Sequence, residues 1–327
     1  MTYFQFLVSA VVTLSFSMLL VTRLEKVGAR LGFTSAILGL VTALAANAPE
    51  MTSAITAIAR KQSEVGVGVV LGSNVFNLAA LLGLGSLVAG RIHLHRRVIM
   101  LVGSTSLAIA LVSLGAVTST FTATTSLAIA LAIFVPYVVL SAWPHALRRI
   151  GVPRRPRRWV REAIREEEVE IAEAIHPRAG DWRDASLAAV ALVVVVLASI
   201  VMEHTASTMG RELGWSNIVI GGIVLAGVTS LPNAVAAVYF ASKGRGSVVL
   251  SEALNSNNLN TLFGFLAPAV ALGLVRPTTS DLIVDGFYLG LSAVALALAY
   301  AERGLRRLSG GVIIMGYLVF VAVLASR

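Results

Sequence analysis

The sequence predicts an all-α integral membrane protein of ten transmembrane helices built around an inverted repeat, and three observations carry that expectation. Of 327 residues, 57% are apolar and 13% charged, with a mean hydropathy of +0.84, whereas about a quarter of a soluble domain is charged. The charges are clustered: 18 of the 43 fall between Pro144 and Ala185, leaving 25 for the other 285 residues. Uncharged windows long enough to cross a bilayer recur along the chain, and one stretch matches another at a fixed spacing.

A helix crossing about 30 Å of hydrocarbon needs roughly 20 mostly apolar residues. Nine windows qualify: Met1 to Thr22, Leu31 to Pro49, Val65 to Gly90, Val98 to Leu147, Ala185 to Met202, Leu213 to Ser242, Ala253 to Val275, Gly286 to Ala301 and Leu308 to Ser326. The fourth is 50 residues long and holds a Thr/Ser-rich stretch, Thr118 to Ser126, that suits a tight turn; dividing it there gives ten helices. The first window has no basic residues ahead of it and no small-residue cleavage site, so it reads as a retained span and not a signal peptide.

The loops test that count. One alternating set holds 21 of the 26 Lys and Arg, the other 5. By the positive-inside rule both termini lie outside the plasma membrane and the loop from Arg148 to Arg183 is cytoplasmic. The chain then divides at residues 1–143, 144–185 and 186–327. Within the loop, Val160, Ile164, Ile171 and Ile175 recur at helical spacing, which fits either an amphipathic helix on the inner membrane face or a solvated charged linker.

Composition also excludes. A pI near 10.6 suggests nucleic acid as partner for a soluble protein, but bases that flank apolar runs set orientation instead, so no nucleic-acid partner is expected. The absence of cysteine removes disulfides, thiolate metal sites and iron–sulfur clusters. No P-loop, HExxH or nucleophile elbow occurs, so neither an ATP-driven pump nor a membrane hydrolase is expected, and no cofactor. His93 and His95 do not share a helical face, and His145, His176 and His204 are isolated.

Self-comparison at an offset of 183 pairs Ile37 with Ile220, Gly39 with Gly222, Pro49 with Pro232, Ser73 with Ser256, Asn74 with Asn257, Asn77 with Asn260 and Gly90 with Gly273, without a gap. An odd number of spans separates the copies, which inverts the second relative to the first, the arrangement expected of alternating access. In each copy a proline, Pro49 or Pro232, follows small or polar residues and should break its helix, freeing carbonyls that are tolerated where they line a polar cavity. The next helix presents Ser73 with Asn77, or Ser256 with Asn260, on one face. This set offers oxygen without sulfur or imidazole, the preference of hard cations. Glu50, an acid deep in a long span, is a functional candidate by default. Glu252 shares the face of Ser256 and Asn260 and reads as an interfacial glutamate. Gly68 with Gly72, and Gly286 with Gly290, have the spacing of helix-packing contacts.

The motifs GLVTALAANAPE followed by GSNVFN, repeated as GIVLAGVTSLPN followed by NSNNLN, resemble the alpha repeats of the sodium/calcium exchanger (cation/calcium antiporter) superfamily. The resemblance spans residues 36–90 and 219–273. It implies two inverted five-helix halves joined by a cytoplasmic loop, and a secondary antiporter moving Ca2+ or another cation against Na+ or H+. It also implies an ion site formed by Asn47, Glu50, Ser73 and Asn77 with Thr229, Ser230, Asn233, Ser256 and Asn260. Three departures stand out: Ala46-Asn47 replaces the usual Thr-Ser, Asn233 stands where a second glutamate is normal, and Asn260 stands where many members have aspartate, so the site has lost negative charge. The rival expectation is an exchanger fold kept as a membrane scaffold or sensor, with the central loop as contact surface.

Overall fold

The computed structural model describes residues 1–33, 35–142, 155, 158–165, 179–273 and 278–326. Its helices are α1 (Thr2–Arg30), α2 (Ser35–Ala46), α3 (Ala48–Ala59), α4 (Ser63–Ala89), α5 (Arg96–Val117), α6 (Ala123–Ala142), α7 (Trp182–Glu212), α8 (Asn217–Thr229), α9 (Leu231–Ser242), α10 (residues 246–272), α11 (Thr279–Glu302) and α12 (Arg307–Ala325). Among the described residues seven helices are long and apolar enough to cross a membrane, and the α8–α9 pair, bent by 48°, makes an eighth. The remaining predicted crossings coincide with α2–α3 and α10, where Asn47 interrupts one and a run of Ser and Asn dilutes the other. The predicted turn within the 50-residue window is present: α5 ends at Val117, Ser119 takes a φ of 58°, and α6 begins at Ala123.

Burial sorts these helices into layers. In α4, 94% of the apolar window is buried, against 28% in α1 and in α7, so α4 is the axis of the bundle and the other two are a wall. Leu7, Val11, Val190, Val193 and Leu197 on that wall are exposed, as side chains facing lipid should be. Both wall helices outrun their apolar windows. Asp181 and Asp184 cap the start of α7 with a reciprocal box, and Arg23 of α1 reaches Asp184 at 2.7 Å.

Close backbone contact fixes the middle. A Cβ on Gly72 would lie 2.6 Å from the Gly222 Cα, and one on Gly68 would lie 2.9 Å from the Gly222 nitrogen, so α4 crosses α8 where neither carries a side chain. Gly286 and Gly290 meet nothing within 4 Å; among the described residues that pair spaces no helix contact, contrary to expectation.

Two features depart from a purely helical reading. Strands β1 (Arg91–His93) and β2 (Gly304–Arg306) pair antiparallel, joining the end of α4 to the end of α11, with Ile92 and Leu305 buried between them. Three helices also contain π-helical turns, at Leu78–Leu84, Ile220–Leu225 and Asn260–Leu266. Of the central loop, residues 158–165 are helical. Ala163 and Ile164 are buried and Arg97 of α5 pairs with Glu162 at 2.9 Å, so this piece packs onto the bundle. The Arg158 side chain beside Glu162 holds that carboxyl below the usual carboxylate range. Ile171 and Ile175 lie outside the described residues.

Candidate ion-binding site

Two helix breaks build the centre. Proline cannot donate to the preceding turn and its ring crowds the carbonyl four residues back, so α2 stops at Ala46 before Pro49 and α8 stops at Thr229 before Pro232. Asn47 and Ser230, the residues at the breaks, take nearly the same backbone conformation, φ −85° and ψ 0° against φ −88° and ψ 0°. Each turns its side chain toward the other repeat. The Ser230 hydroxyl donates to Glu50 Oε1 at 2.9 Å, and Asn233 Nδ2 donates to Asn47 Oδ1 at 3.0 Å. At an offset of 183 these two bonds are counterparts, since Ser230 corresponds to Asn47 and Asn233 to Glu50.

The same correspondence holds one layer away, where α4 meets α10. Asn77 Nδ2 donates to Asn257 Oδ1 at 3.0 Å, and its counterpart Asn260 Nδ2 donates to Asn74 Oδ1 at 3.3 Å. Asn74 and Asn257 each donate to the other's backbone carbonyl, at 3.4 and 3.1 Å. Asn47 Nδ2 closes the ring onto the Ser256 carbonyl at 3.1 Å. The π-helical turns begin at Leu78, one residue past Asn77, and at Asn260 itself.

All nine residues expected at the site are buried, none more than 1% exposed. Six of their oxygens have no hydrogen-bond partner: Glu50 Oε2, Ser73 Oγ, Asn77 Oδ1, Asn233 Oδ1, Ser256 Oγ and Asn260 Oδ1. Each such group costs about 1–3 kcal/mol when buried unsatisfied, so these oxygens are candidates for contacts that the protein itself does not supply. Thr229 differs, because its hydroxyl donates to the Leu225 carbonyl of its own helix at 2.9 Å. Among the described residues no group of three or more His, Cys, Asp and Glu converges on a metal; one carboxylate and neutral oxygens make up the set.

A cavity of about 460 Å³ runs up to this centre from the side that carries the β-ribbon. Its wall includes Thr22 and Glu25 of α1, Pro232 and Asn233 at the break, Ser251, Glu252 and Asn255 of α10, and Ile164 from the central-loop helix. Glu252 therefore lines this cavity, its Oε2 buried without a partner, where the sequence suggested a glutamate at the lipid interface. Three things lay outside the sequence expectation. The Asn74–Asn257 pair was visible in the repeat but carried no role, the π-helical turns have no composition signal, and Glu25 becomes a wall residue only once α1 packs against α2.

The family model described as sodium/calcium exchanger protein matches residues 1–144 and 185–325. "Putative antiporter CaxA" of Alkalimonas amylolytica is 22% identical over 316 residues, 92% of each chain. Sodium/potassium/calcium exchanger 1 of Mus musculus is 24% identical over 140 residues, 40% of this chain and 12% of that one. Among solved structures, the H+/Ca2+ exchanger CAX superposes with a TM-score of 0.72 at 13% identity, covering 99% of this chain and 85% of that one. The sodium-calcium exchanger NCX_Mj gives 0.62 at 17%, covering 98% and 97%. With nearly its whole described length matched by the family model, this multi-pass membrane chain belongs to the sodium/calcium exchanger protein family.

Proposed function

We propose that the chain is a secondary cation antiporter that moves Ca2+ or another cation against Na+ or H+ by alternating access. The observation that carries this reading is the buried, unpartnered Glu50 Oε2 together with five further unpartnered oxygens from the proline-broken helices, α4 and α10. Hard cations take oxygen ligands of this kind, and helix breaks supply such sites at the midplane of transporters. Asn47, Glu50, Ser73 and Asn77 act with Thr229, Ser230, Asn233, Ser256 and Asn260 as the binding set, Thr229 through its remaining lone pair. Ten crossings form two inverted five-helix halves, residues 1–143 and 186–327, in a plasma membrane. The ribbon side is cytoplasmic, so the cavity ending at Asn233 is the inward access route. The names of the relatives, antiporter and exchanger, agree with this assignment.

The test is flux of calcium-45 and sodium-22 into proteoliposomes under imposed sodium or pH gradients. Uptake against an imposed gradient supports the reading, and no gradient-dependent flux of either ion contradicts it. Orientation is tested separately by cysteines at exposed Lys61 and Arg158. In intact cells an impermeant reagent should label Lys61→Cys and leave Arg158→Cys untouched; the reverse pattern refutes the assigned sidedness.

A further inference from the structure

The wall helices are tied differently at their two ends. On the ribbon side α1 and α7 are joined to each other, where Arg23 and Lys26 of α1 both reach Asp184 of α7, at 2.7 and 3.7 Å. On the opposite side α7 is tied instead to the loop between α3 and α4. Arg60 Nη1 lies 3.3 Å from Glu203 Oε2. The Ser207 hydroxyl, one turn further along α7, stands 3.0 Å from Glu203 Oε1 and 3.3 Å from Gln62 Oε1. Arg60 Nη1 also meets His204 Nδ1 at 2.6 Å; a guanidinium only donates, so the imidazole accepts. Glu203 is fully buried while the Arg60 side chain is 40% exposed, so the pair sits at the rim of the bundle with its acid inside.

The repeat shows what is particular about this contact. At the offset of 183, α1 corresponds to α7, and the loop after α3 to the loop after α9. Arg60 corresponds to Lys243, a cation in both copies. Its partners do not match: Glu203, His204 and Ser207 correspond to Leu20, Val21 and Leu24. On the ribbon side Leu20 is buried in an apolar cluster with Val21 and Leu24 against it, and Lys243 lies over the Tyr239 ring at 5.8 Å. One end of the wall is therefore held by charge, and the matching positions at the other end are apolar. Val21 and Tyr239 both line the cavity, so the cavity lies at the end without the ion pair.

The end that has the pair is closed. Beyond Glu50 along α3, Ser53, Ala54, Ala57 and Ile58 are each at most 1% exposed, and α7 packs along this helix. The seam is not fully satisfied, however. Ser53, two turns before Arg60, and Ser199, one turn before Glu203, lie on the faces that carry the pair, and both hydroxyls are buried without a partner. Such groups favour a conformation in which water reaches them, and the ion pair at the rim opposes that opening.

We propose that Arg60 and Glu203 form a latch that holds α7 against α3, keeps the centre closed on the side opposite the cavity, and parts when that side opens. Ser207, Gln62 and His204 are its positioning residues, keeping the acid and the guanidinium in register. An ion pair at a half-exposed rim suits the task, because it biases two arrangements of packed helices without fixing either. The inference rests on the antiporter reading, in which the centre is reached from each side in turn, and adds the contact that sets the resting side.

The chain has no cysteine, so single cysteine reporters read without background. Ser53→Cys reports on the closed side, and Val235→Cys, on the cavity wall, on the open one. Labelling by a charged methanethiosulfonate is timed in the purified full-length protein, with and without Glu203→Gln. Glutamine keeps an acceptor for Ser207 and removes the ion pair without leaving a buried charge, which Arg60→Gln alone would do. Ser53→Cys should label about tenfold faster or more in Glu203→Gln with Val235→Cys within about twofold, because a rise in a minor state barely depletes the major one. Adding Arg60→Gln to Glu203→Gln should change the Ser53→Cys rate by less than about twofold, since both remove one contact. An unchanged Ser53→Cys rate overturns the latch, and so does equal acceleration at both reporters, the mark of general loosening. Where Glu203→Gln does not fold, Ser207→Ala serves: labelling of Ser53→Cys about threefold faster supports the latch, and an unchanged rate refutes it. The antiporter reading fails on a separate result, the absence of gradient-driven calcium or sodium flux in the wild type.

Discussion

Residues 36–90 and 219–273 build matching half-sites from matching backbones, yet the first supplies a carboxylate, Glu50, where the second supplies an amide, Asn233. Both helices break two residues before a proline, at Asn47 and Ser230, with nearly identical torsions. Each repeat goes on to an Asn-rich helix, α4 or α10, that turns π-helical at Leu78 or at Asn260. Even the hydrogen bonds correspond, Ser230 to Glu50 and Asn233 to Asn47. Symmetry of the fold therefore does not require symmetry of charge. The backbone sets where oxygens converge, and one side chain per half sets how much charge is placed there.

The comparison breaks most visibly at its charged member. Glu50→Gln keeps the acceptor for Ser230 and removes the charge; coupled flux should fall by at least about a hundredfold with normal expression, measured as calcium-45 uptake. Full flux in that variant shows that the ions pass elsewhere.

The next effect is structural and belongs to neither charge. Gly72→Ala places a methyl on the Gly222 backbone and should cost about 1–3 kcal/mol, the usual range for overpacking, read as a lower unfolding midpoint in detergent. Gly286→Ala meets open space and should stay within about 0.5 kcal/mol, so equal losses in the two variants contradict the backbone crossing at Gly72.

Restoring the missing acid sharpens the contrast from the other side. Calcium takes six to eight oxygens and favours carboxylates, and one ionised glutamate leaves a bound divalent ion with uncompensated charge. Asn233→Glu should raise calcium affinity by roughly tenfold, offset in part by the lost bond to Asn47, while affinity for a single monovalent ion changes less. Tight calcium binding in the wild type that weakens on adding the glutamate refutes the assignment of Asn233 to the position of the lost ligand.

How much of this was legible follows from what each residue depends on. Pro49 and Pro232 act on their own helices, so the breaks were readable from local chemistry alone. The pairing of Ser73, Asn77, Ser256 and Asn260 into one buried set was readable because the repeat made the two halves testify for each other. Asn74 and Asn257 appeared in the same repeat, but that each donates to the other's carbonyl depends on how closely α4 approaches α10. The β-ribbon was not legible: three residues at Arg91 and three at Gly304 have no periodicity and gain pairing only when α4 and α11 end side by side. Glu252 was not legible as a cavity residue for a related reason, since that cavity is formed by α1, α2, α6, α9 and α10 with Ile164.

The central claim is that Glu50 and the unpartnered oxygens around it bind the transported cation. Calcium-dependent thermal stabilisation of the purified protein, wild type beside Glu50→Gln, tests it directly, because a ligand that binds only the folded state raises its stability by mass action. The account predicts an unfolding midpoint that climbs with calcium in the wild type and stays flat in Glu50→Gln. Equal climbs in the two proteins would contradict it.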